Sequence, residues 1–491
     1  MDQQLIESIV DQVVRRMRAG EPAKESCGCS TAAPSGAAGA ASLLPATPSP
    51  ALGVFEKMDD AIRAGAKASA EYREFSIAAR EKLIGAIRRT GHALKHKWAP
   101  DTVAETRMGR VAHKIMKFNS VCDGTRGTED LTTWAKSGDH GLTIEEMAPF
   151  GLVAAVTPST HPVPTLINNS ISLLAAGNTA VFNPHPASKK VFAEAVATLN
   201  RELMAAGGPA CLLTTVVEPT LESASEMFLH AETRLILVTG GPGVVKAALA
   251  CPKKAICAGP GNPPVIVDET ADLKRAARSI VDGGGFDNNI LCIGEKEVFV
   301  VESVFNALLR EMEAIGCHRL SERESDALAA KAFIKQKDGH LMTSRDYVGR
   351  NAAVLADAIG IKGLGDAVPM LFGEVSSAAN VWVQEEQLMP FMPFVRVRDV
   401  DEAIRLSLEA EHGYRHTAVM HSRNVENMSR FARACDCSIF VKNGPSIAGL
   451  AVGGEGYISY SIASPTGEGI TTARTFTRKR RCTLVDSFRI I

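Results

Sequence analysis

A long segment without charged residues limits the possible folds of this chain more than any other feature. From Met147 to Ser188 the sequence has no Asp, Glu, Lys or Arg, and it contains six prolines, which exclude a membrane-spanning helix. Within it, "GLVAAVT" and "TAVFN" have the apolar content of buried strands. Between them lie a loop at "PSTHPVP" and a helix at "TLINNSISLLAA", which Gly177-Asn178 ends. Apolar strands joined by a helix predict a parallel α/β sheet.

The same pattern extends along the chain on both sides. Residues 56 to 118 have apolar spacing typical of helices. Residues 189 to 206 predict a helix, "CLLTTVV" a strand, and "RLILVTGGPGVVKAAL" a strand that enters a glycine-rich turn and then a helix. Such a turn lets a phosphate approach a helix N-terminus. The pattern restarts at "PPVIVDET", near residue 263, which predicts a second α/β domain.

The N-terminus predicts an amphipathic helix on a tether. The apolar residues of "MDQQLIESIVDQVVRRMRAG" recur on one helix face: Leu5, Ile6, Ile9, Val10, Val13, Val14 and Met17. From Ser26 to Phe55 there is no charge, and Ala, Pro, Ser and Gly dominate, which indicates a flexible linker. We interpret the helix as a partner-binding element. A frayed terminus or a helix docked on its own domain is the alternative.

Composition excludes several functional classes. A formal net charge of −1 argues against a nucleic-acid surface. The 11 cysteines are an odd number in a long chain, which does not suit a disulfide framework and fits a reducing cytosol. The pairs Cys27/Cys29 and Cys435/Cys437 lack a second ligand pair at zinc spacing, so no metal site is predicted. The polar face of the N-terminal helix is not rich in Lys and Arg, so no membrane contact is predicted.

The stretch "FDNNILC" carries Cys292, which taken alone could be a buried structural thiol or a nucleophile. Further motifs follow in one order: "TPSTHP…AAGNTAVFNPHP", "VTGGPGVVKAA", "AGPGNPPVIVDETAD", "FDNNILC", "EEQLMPFMPFVRV" and "FVKNGPSIAGL…GGEG". Together they resemble the aldehyde dehydrogenase superfamily, and most closely the CoA-acylating aldehyde dehydrogenases of bacterial microcompartments. The resemblance covers roughly residues 53 to 491.

The resemblance implies that Cys292 attacks an aldehyde as a thiolate. The resulting oxyanion needs hydrogen-bond donors, and the backbone N–H of Cys292 is one candidate. Thr160 takes the position of an Asn that serves this purpose in hydrolytic relatives. Acylating relatives commonly have Thr followed by Asn, whereas this chain has His161 next. Thr160, His161 or neither therefore acts as the second donor.

The resemblance also indicates which molecule releases the acyl group. Hydrolytic relatives use a Glu to activate water, and that position aligns with Ala258. Without a base, water is a poor acceptor, whereas the thiol of coenzyme A is a strong nucleophile. We therefore expect thiolysis by CoA. A base elsewhere, such as Glu295, is the alternative.

The resemblance predicts NAD as cofactor, with NADP left open. Thr239, Gly240 and Gly241 are expected near the pyrophosphate, and Glu386 at the ribose. Pro184 and His185 are also expected to contact the cofactor. They follow the second apolar strand, where Asn183 replaces a Lys that contacts the adenosine ribose in relatives.

We predict an α/β, aldehyde dehydrogenase-like fold with two Rossmann-like domains. The units expected are an encapsulation-type helix at 1–19, a linker at 20–52, a dinucleotide-binding domain at 53–132 and 148–258, an oligomerisation arm at 133–147 and 475–491, and a catalytic domain at 259–474. By the same resemblance, the arm implies a dimer or tetramer. The helix resembles the encapsulation peptides of microcompartment cargo, which implies binding to a shell protein in the lumen of a microcompartment in the bacterial cytoplasm.

The expected reaction is NAD-dependent conversion of a short aliphatic aldehyde to its acyl-CoA, with propionaldehyde favoured and acetaldehyde next. Two alternatives remain open. One is a hydrolytic aldehyde dehydrogenase that makes a carboxylate, which Ala258 disfavours. The other is a non-catalytic cargo or scaffold protein, which the intact "FDNNILC" disfavours.

Overall fold

The computed structural model describes residues 44–336 and 341–491. The predicted N-terminal helix and most of the predicted linker lie outside the described residues. The strands are β1 (Val54–Phe55), β2 (Trp134–Gly138), β3 (Gly141–Pro149), β4 (Leu152–Thr157), β5 (Thr179–Pro184), β6 (Leu213–Val216), β7 (Thr233–Thr239), β8 (Ala255–Ala258), β9 (Pro264–Val267), β10 (Glu297–Val301), β11 (His318–Arg319), β12 (Phe333–Lys335), β13 (Leu341–Thr343), β14 (Leu371–Val375), β15 (Phe391–Val397), β16 (Thr417–His421), β17 (Ile439–Lys442), β18 (Ile462–Ala463), β19 (Gly469–Ile470) and β20 (Thr477–Val485).

The helices pack on and between these sheets. They are α1 (Met58–Tyr72), α2 (Ile77–Thr106), α3 (Val111–Gly124), α4 (Pro162–Ala175), α5 (Lys189–Ala205), α6 (Leu221–Leu229), α7 (Pro242–Leu249), α8 (Leu273–Gly284), α9 (Glu302–Ala314), α10 (Glu322–Ala332), α11 (Ala352–Ala358), α12 (Val381–Gln384), α13 (Val400–Ala410) and α14 (Val425–Cys435). No helix in the described ranges is long and apolar enough to cross a membrane.

The first large sheet has six parallel strands in the order β1-β6-β5-β4-β7-β8. Every residue of β4 and β5 is buried, as the charge-free segment predicts. The chain order reverses at β4, because β5 and β6 lie on one side of it and β7 and β8 on the other. In open α/β sheets, ligands bind at the carboxyl ends of the strands where the order reverses. That edge lies between the ends of β4 and β7.

The segment "PSTHPVP" is only partly a loop. Helix α4 begins at Pro162, directly after His161, so the predicted loop was too long by one helical turn. Proline is tolerated at the first position of a helix because its missing N–H would have no partner there. The short remaining connection places Thr160 and His161 at the carboxyl end of β4.

The second large sheet has seven parallel strands in the order β11-β14-β15-β10-β9-β16-β17. Its first strand along the chain is β9, which confirms the predicted restart of the α/β pattern near residue 263. Buried side chains of both sheets, such as Val153 on β4 and Val298 on β10, belong to one continuous apolar core. The two α/β units are therefore packed against each other.

A third sheet is antiparallel and largely exposed. Its strands run in the order β2-β3-β20 and cover the segments expected to form an arm. Every residue of β2 except Gly138 is exposed. The side chains of Trp134 and Val485 are 49% and 65% exposed. Subunit binding by this sheet stays a prediction.

The linker prediction was wrong for residues 44–52. Ala46 is buried, and its N–H donates to Thr198 Oγ1 at 2.9 Å. Asn200 Nδ2 donates to the Leu52 carbonyl at 2.9 Å. These residues therefore dock on helix α5. The Ala- and Pro-rich composition suggested flexibility, but small apolar residues also pack well against a helix.

Candidate active site

Cys292 follows a turn of unusual backbone geometry. After α8, the residues Asp287, Asn288 and Asn289 all have positive φ, at 51°, 58° and 63°. This left-handed region is costly for most side chains, and Asp and Asn tolerate it best after Gly. Three such residues in succession need strong support from their surroundings. The "DNN" of the sequence is therefore a backbone requirement of the loop that carries the cysteine.

The Lys296 side chain holds this loop by hydrogen bonds. Its buried ammonium group donates to the Asn289 carbonyl at 2.8 Å, to Asn289 Oδ1 at 2.6 Å and to the Leu291 carbonyl at 3.0 Å. Asn289 Nδ2 in turn donates to the Glu295 carbonyl at 3.0 Å. The chain on both sides of Ile290 is thereby fixed, and with it the direction of the Cys292 backbone.

The Cys292 thiol is half-buried in a site with charged neighbours. Burial and the Glu386 carboxylate raise its pKa to about 12, while the ammonium groups of Lys296 and Lys117 oppose that rise. Gly261 packs against the Cys292 carbonyl. A Cβ atom at Gly261 would lie 2.6 Å from that oxygen and 3.0 Å from His416 Cγ, so only glycine fits there.

A buried ion cluster holds the start of the turn. Asp287 Oδ2 accepts from Lys114 Nζ at 2.9 Å and from Lys117 Nζ at 2.5 Å, and Asp287 Oδ1 accepts from the Arg110 N–H at 2.7 Å. The Asp287 N–H donates to His113 Nδ1 at 2.7 Å. Burial would raise the pKa of Asp287, but the two lysines hold it well below its usual range.

Lys114 also joins the cysteine loop to the loop after β4. Its Nζ donates to the Thr160 carbonyl at 3.0 Å. Thr160 Oγ1 and His161 Nδ1 are 2.9 Å apart, and the His161 ring lies 4.9 Å from the Tyr460 ring. Burial and the nearby lysines lower the pKa of His161 well below its usual value, so the ring is neutral at pH 7. The structure thus brings the predicted Thr160–His161 pair to the site around Cys292.

The position of the missing Glu holds the apolar side chain of Ala258. Ala258 is buried at the end of β8, next to Thr239 in the sheet. Glu295 accepts from the Ser446 N–H at 2.8 Å and from Ser446 Oγ at 2.7 Å. Burial raises the pKa of Glu295 to about 7. Because both of its oxygens bind Ser446, Glu295 is not placed to activate water.

Glu386 lies on the cysteine side of the site. Burial raises its pKa to about 7, and the Lys296 ammonium group opposes that rise. Its carboxylate in turn acts on the pKa of Cys292. Contact with a ribose stays a prediction, and the position near Cys292 suits the nicotinamide half of a dinucleotide.

The other predicted cofactor residues lie at the carboxyl edge of the first sheet. Thr239 ends β7, and Gly241 precedes helix α7. Pro184 ends β5, and His185 Nδ1 accepts from the Ala187 N–H at 3.1 Å, so its ring caps the next turn. At Gly241 an added Cβ atom would meet nothing within 4 Å, so the backbone there leaves room for a pyrophosphate.

Sequence reasoning missed Lys114, Lys117 and Lys296. The first two lie in "VAHKIMKFNSVC" three residues apart, on the same face of α3 as buried Val121. Lysines on an otherwise apolar helix face were the available signal, since buried lysines need a partner. Nothing in the local pattern indicated that Lys296 is buried.

Comparison with known proteins agrees with this geometry. A model of the aldehyde dehydrogenase family matches residues 50–457. Over 453 residues, the chain is 49% identical to an acetaldehyde dehydrogenase (acetylating) of Salmonella typhimurium. The aligned region covers 92% of this chain and 96% of that protein.

Solved structures show the same fold. The Rhodopseudomonas palustris propionaldehyde dehydrogenase with bound propionyl-CoA is 42% identical, with a TM-score of 0.86, over 89% of this chain and 96% of that one. A propionaldehyde dehydrogenase from a Clostridium phytofermentans fucose utilisation microcompartment is 43% identical, with a TM-score of 0.86, over 89% of this chain and 100% of that one. The predicted fold class is confirmed, and the chain belongs to the aldehyde dehydrogenase family.

Proposed function

We propose that this protein is a CoA-acylating aldehyde dehydrogenase that converts a short aliphatic aldehyde and CoA to an acyl-CoA, with NAD as the oxidant. The observation that carries the proposal is the combination at the site. A cysteine lies on a rigid, strained turn, and the position of the water-activating Glu holds the buried methyl group of Ala258.

The chemistry follows from the placement of the side chains. The Cys292 thiolate attacks the aldehyde carbon, and a C–S bond forms as the carbonyl oxygen becomes an oxyanion. The Cys292 N–H and a donor from Thr160 or His161 stabilise that oxyanion. Bound NAD would supply the hydride acceptor. Loss of hydride from the thiohemiacetal carbon would re-form the carbonyl and leave a thioester on Cys292. The CoA thiolate then attacks the thioester carbon and releases Cys292 as a thiolate.

The two neighbouring loops suit this sequence of steps. Lys114 holds Thr160 and Asp287 at fixed positions, so the two candidate oxyanion donors cannot drift apart. The neutral His161 ring uses Nδ1 for its hydrogen bond with Thr160 Oγ1. Its Nε2 is then left to bind a ligand. At the position where hydrolytic relatives place a water-activating Glu, the methyl group of Ala258 supplies no base, which favours release of the thioester by CoA.

Dependence on CoA tests the proposal. With aldehyde, NAD and CoA, we expect continuous NADH formation and an acyl-CoA product. Without CoA, turnover should stop after roughly one NADH per site, because the thioester persists. Absorbance at the NADH band and mass spectrometry of the product measure both. Continuous carboxylate formation without CoA would favour the hydrolytic alternative, and no NADH under any condition would favour the scaffold alternative.

Acetaldehyde and propionaldehyde are the leading substrates. The sequence motifs favour propionaldehyde, and two of the similar solved structures are propionaldehyde dehydrogenases. The 49% identical relative is an acetaldehyde dehydrogenase. Comparison of kcat/KM for acetaldehyde, propionaldehyde and butyraldehyde measures the preference. A preference for butyraldehyde above both would contradict the assignment.

We propose that residues 1–19, which the sequence predicts to form an amphipathic helix, bind a microcompartment shell protein and that the enzyme acts in the lumen. The similar structure from a microcompartment supports this location. The apolar stripe around Ile9 and Val13 would cover a groove on the shell, and several helices on one oligomer would add their weak contacts. The exposed antiparallel sheet is proposed to form the contact between subunits.

Removal of the helix tests this targeting role. We expect that deletion of residues 1–20 leaves kcat and KM unchanged but prevents co-purification with shells. The double substitution Ile9→Glu and Val13→Glu should act in the same way, since it places charges in the apolar stripe. Co-purification of the deleted enzyme at the full-length ratio would show that another element targets it. Loss of catalysis on deletion would show that the helix belongs to the folded body.

A further inference from the structure

A small cavity lies at the amino edge of the first sheet. Gly151, which directly precedes β4, and Gly177, which lies shortly before β5, form part of its wall. Thr160 of the candidate active site follows the other end of β4, so the cavity and the site lie at opposite ends of this strand. The cavity volume is about 180 Å³. Pockets for drug-sized ligands have roughly 300–1,000 Å³, so a smaller group fits here.

Arginine side chains line this cavity without a carboxylate. Arg73 comes from the end of α1, and Arg478 and Arg480 come from alternate positions of β20, whereas no Asp or Glu lines the cavity. Arg478 Nε donates to the Pro149 carbonyl at 3.1 Å, which holds its guanidinium at the wall. Glu146 is the cross-strand neighbour of Arg480. Across residues 44–336 and 341–491, however, none of the three arginines forms an ion pair.

A fourth arginine lies directly behind the cavity wall. Arg80 on α2 is 8% exposed, and a Cβ atom added at Gly177 would lie 2.8 Å from its guanidinium. That guanidinium donates to the Phe75 carbonyl at 3.2 Å and to the Ala175 carbonyl at 3.3 Å, and to no carboxylate of the described residues. A buried charge without a counter-ion weakens folding. An anion in the cavity would supply the missing negative charge.

The backbone keeps this cavity open. Gly151 and Gly177 have φ angles of 124° and 85°, which residues with a Cβ atom rarely adopt. The fork of an arginine matches pairs of oxygen atoms on phosphate or carboxylate groups. Here the forks come from two directions, the end of α1 and strand β20. A tetrahedral ion offers oxygens to both, whereas a carboxylate has only two.

We propose that the cavity between Arg73, Arg478 and Arg480, called the arginine pocket below, binds a phosphate-type oxyanion. The ion is inorganic phosphate or the phosphate group of a small phosphomonoester. Bound there, it joins the end of α1, the loop before β4 and strand β20, and so fastens the antiparallel sheet to the first α/β unit. The arginine pocket is separate from Cys292, so this proposal does not depend on the proposed function.

Calorimetric titration of the full chain with inorganic phosphate tests the proposal. At constant ionic strength in KCl, we expect one phosphate per chain with a Kd on the order of 1 mM. Saturating NAD is present throughout, so that binding at the glycine-rich turn of the active site does not contribute. Arg73→Gln and Arg480→Gln should each weaken phosphate binding about tenfold, since each removes charge-assisted hydrogen bonds. Both side chains are exposed, so the variants should keep the fold, which circular dichroism checks.

Arg481→Gln is the matched control on the same strand. Arg481 points away from the arginine pocket, and its Nε donates to Glu145 Oε1 at 2.9 Å. The substitution should leave the phosphate affinity within about twofold of the wild type. Titration with glycerol phosphate distinguishes the two sources of the ion. Tighter binding than that of inorganic phosphate assigns the pocket to a phosphomonoester, and weaker binding assigns it to the free ion.

Equal phosphate affinity in the wild type, Arg73→Gln and Arg480→Gln would overturn the proposal, because the ion would then bind elsewhere. A wild-type Kd above about 10 mM would also overturn it. A carboxylate of the partner subunit is the alternative occupant, since the antiparallel sheet is proposed to form the subunit contact. Size-exclusion chromatography tests that alternative. Dissociation of the Arg480→Gln oligomer, together with no phosphate binding by the wild type, would assign the arginines to the subunit contact.

Discussion

Substitution of Cys292 by Ala is expected to abolish aldehyde-dependent NADH formation, with a loss of several orders of magnitude in kcat. The reason is covalent: without the sulfur, no thiohemiacetal forms and no hydride donor exists. The fold should survive, because the side chain is half-buried and the turn is held by Lys296 and Asp287 rather than by the sulfur. Steady-state assays and circular dichroism measure the two properties.

A buried cysteine outside the Cys292 turn provides the control. Cys317 is part of the apolar core, and Cys317→Ala removes one sulfur without changing a residue of the turn. It should lower stability modestly and leave kcat within about twofold. Retention of more than about a tenth of the activity in Cys292→Ala would reject this residue as the nucleophile.

Among the substitutions proposed, Asp287→Asn is expected to cause the largest decrease in the free energy of unfolding. Asn also tolerates the left-handed backbone, so the change removes charge with little change in shape. Two buried ammonium groups then lack any carboxylate, which should cost about 3–5 kcal/mol in the free energy of unfolding. Urea denaturation followed by fluorescence measures it.

The pH dependence of that loss has a definite sign. The pKa of Lys117 is already lowered to about 8, and removal of Asp287 lowers it further. Deprotonation of the lysine relieves the repulsion, and it occurs below pH 8 in the variant but only near pH 8 in the wild type. The loss should therefore shrink as the pH rises towards 8 and stay constant above it. Asp357→Asn is the matched control, since Asp357 pairs with Lys362 on the surface, where both side chains are more than half exposed. It should change stability by no more than about 0.5 kcal/mol. An Asp287→Asn effect of the same small size would show that the cluster is not under electrostatic strain.

The parts of the fold that sequence predicted are those where burial is visible in a short window. Strands β4 and β5 are apolar at nearly every position because both faces of a parallel sheet are covered, so their pattern is local. The restart at β9 follows from the same logic. The helix limit at Pro162 was missed because proline suits both a loop and a first helical position.

The candidate site was predictable only in part. Cys292 stood out by resemblance, and the role of "DNN" required the backbone angles. The bonds from Lys114 to Asp287 and Thr160 span 173 and 46 residues of chain. Contacts between residues so far apart in the chain do not change the local spacing of apolar residues. The sequence of α3 therefore resembles that of any helix that contains lysines. Glu295 was an open alternative for the same reason, because its partner Ser446 is 151 residues away.

The double bond of Lys114 also restricts how the molecule can move. Helix α3, the loop after β4 and the turn before Cys292 are tied at one ammonium group that water does not reach. A hinge opening between the two α/β units along this seam would have to break a buried ion pair, which is a steep barrier. Substrates are therefore expected to exchange without separation of these three segments. The slow step of turnover should then reflect passage and chemistry rather than closure of the enzyme around its ligands.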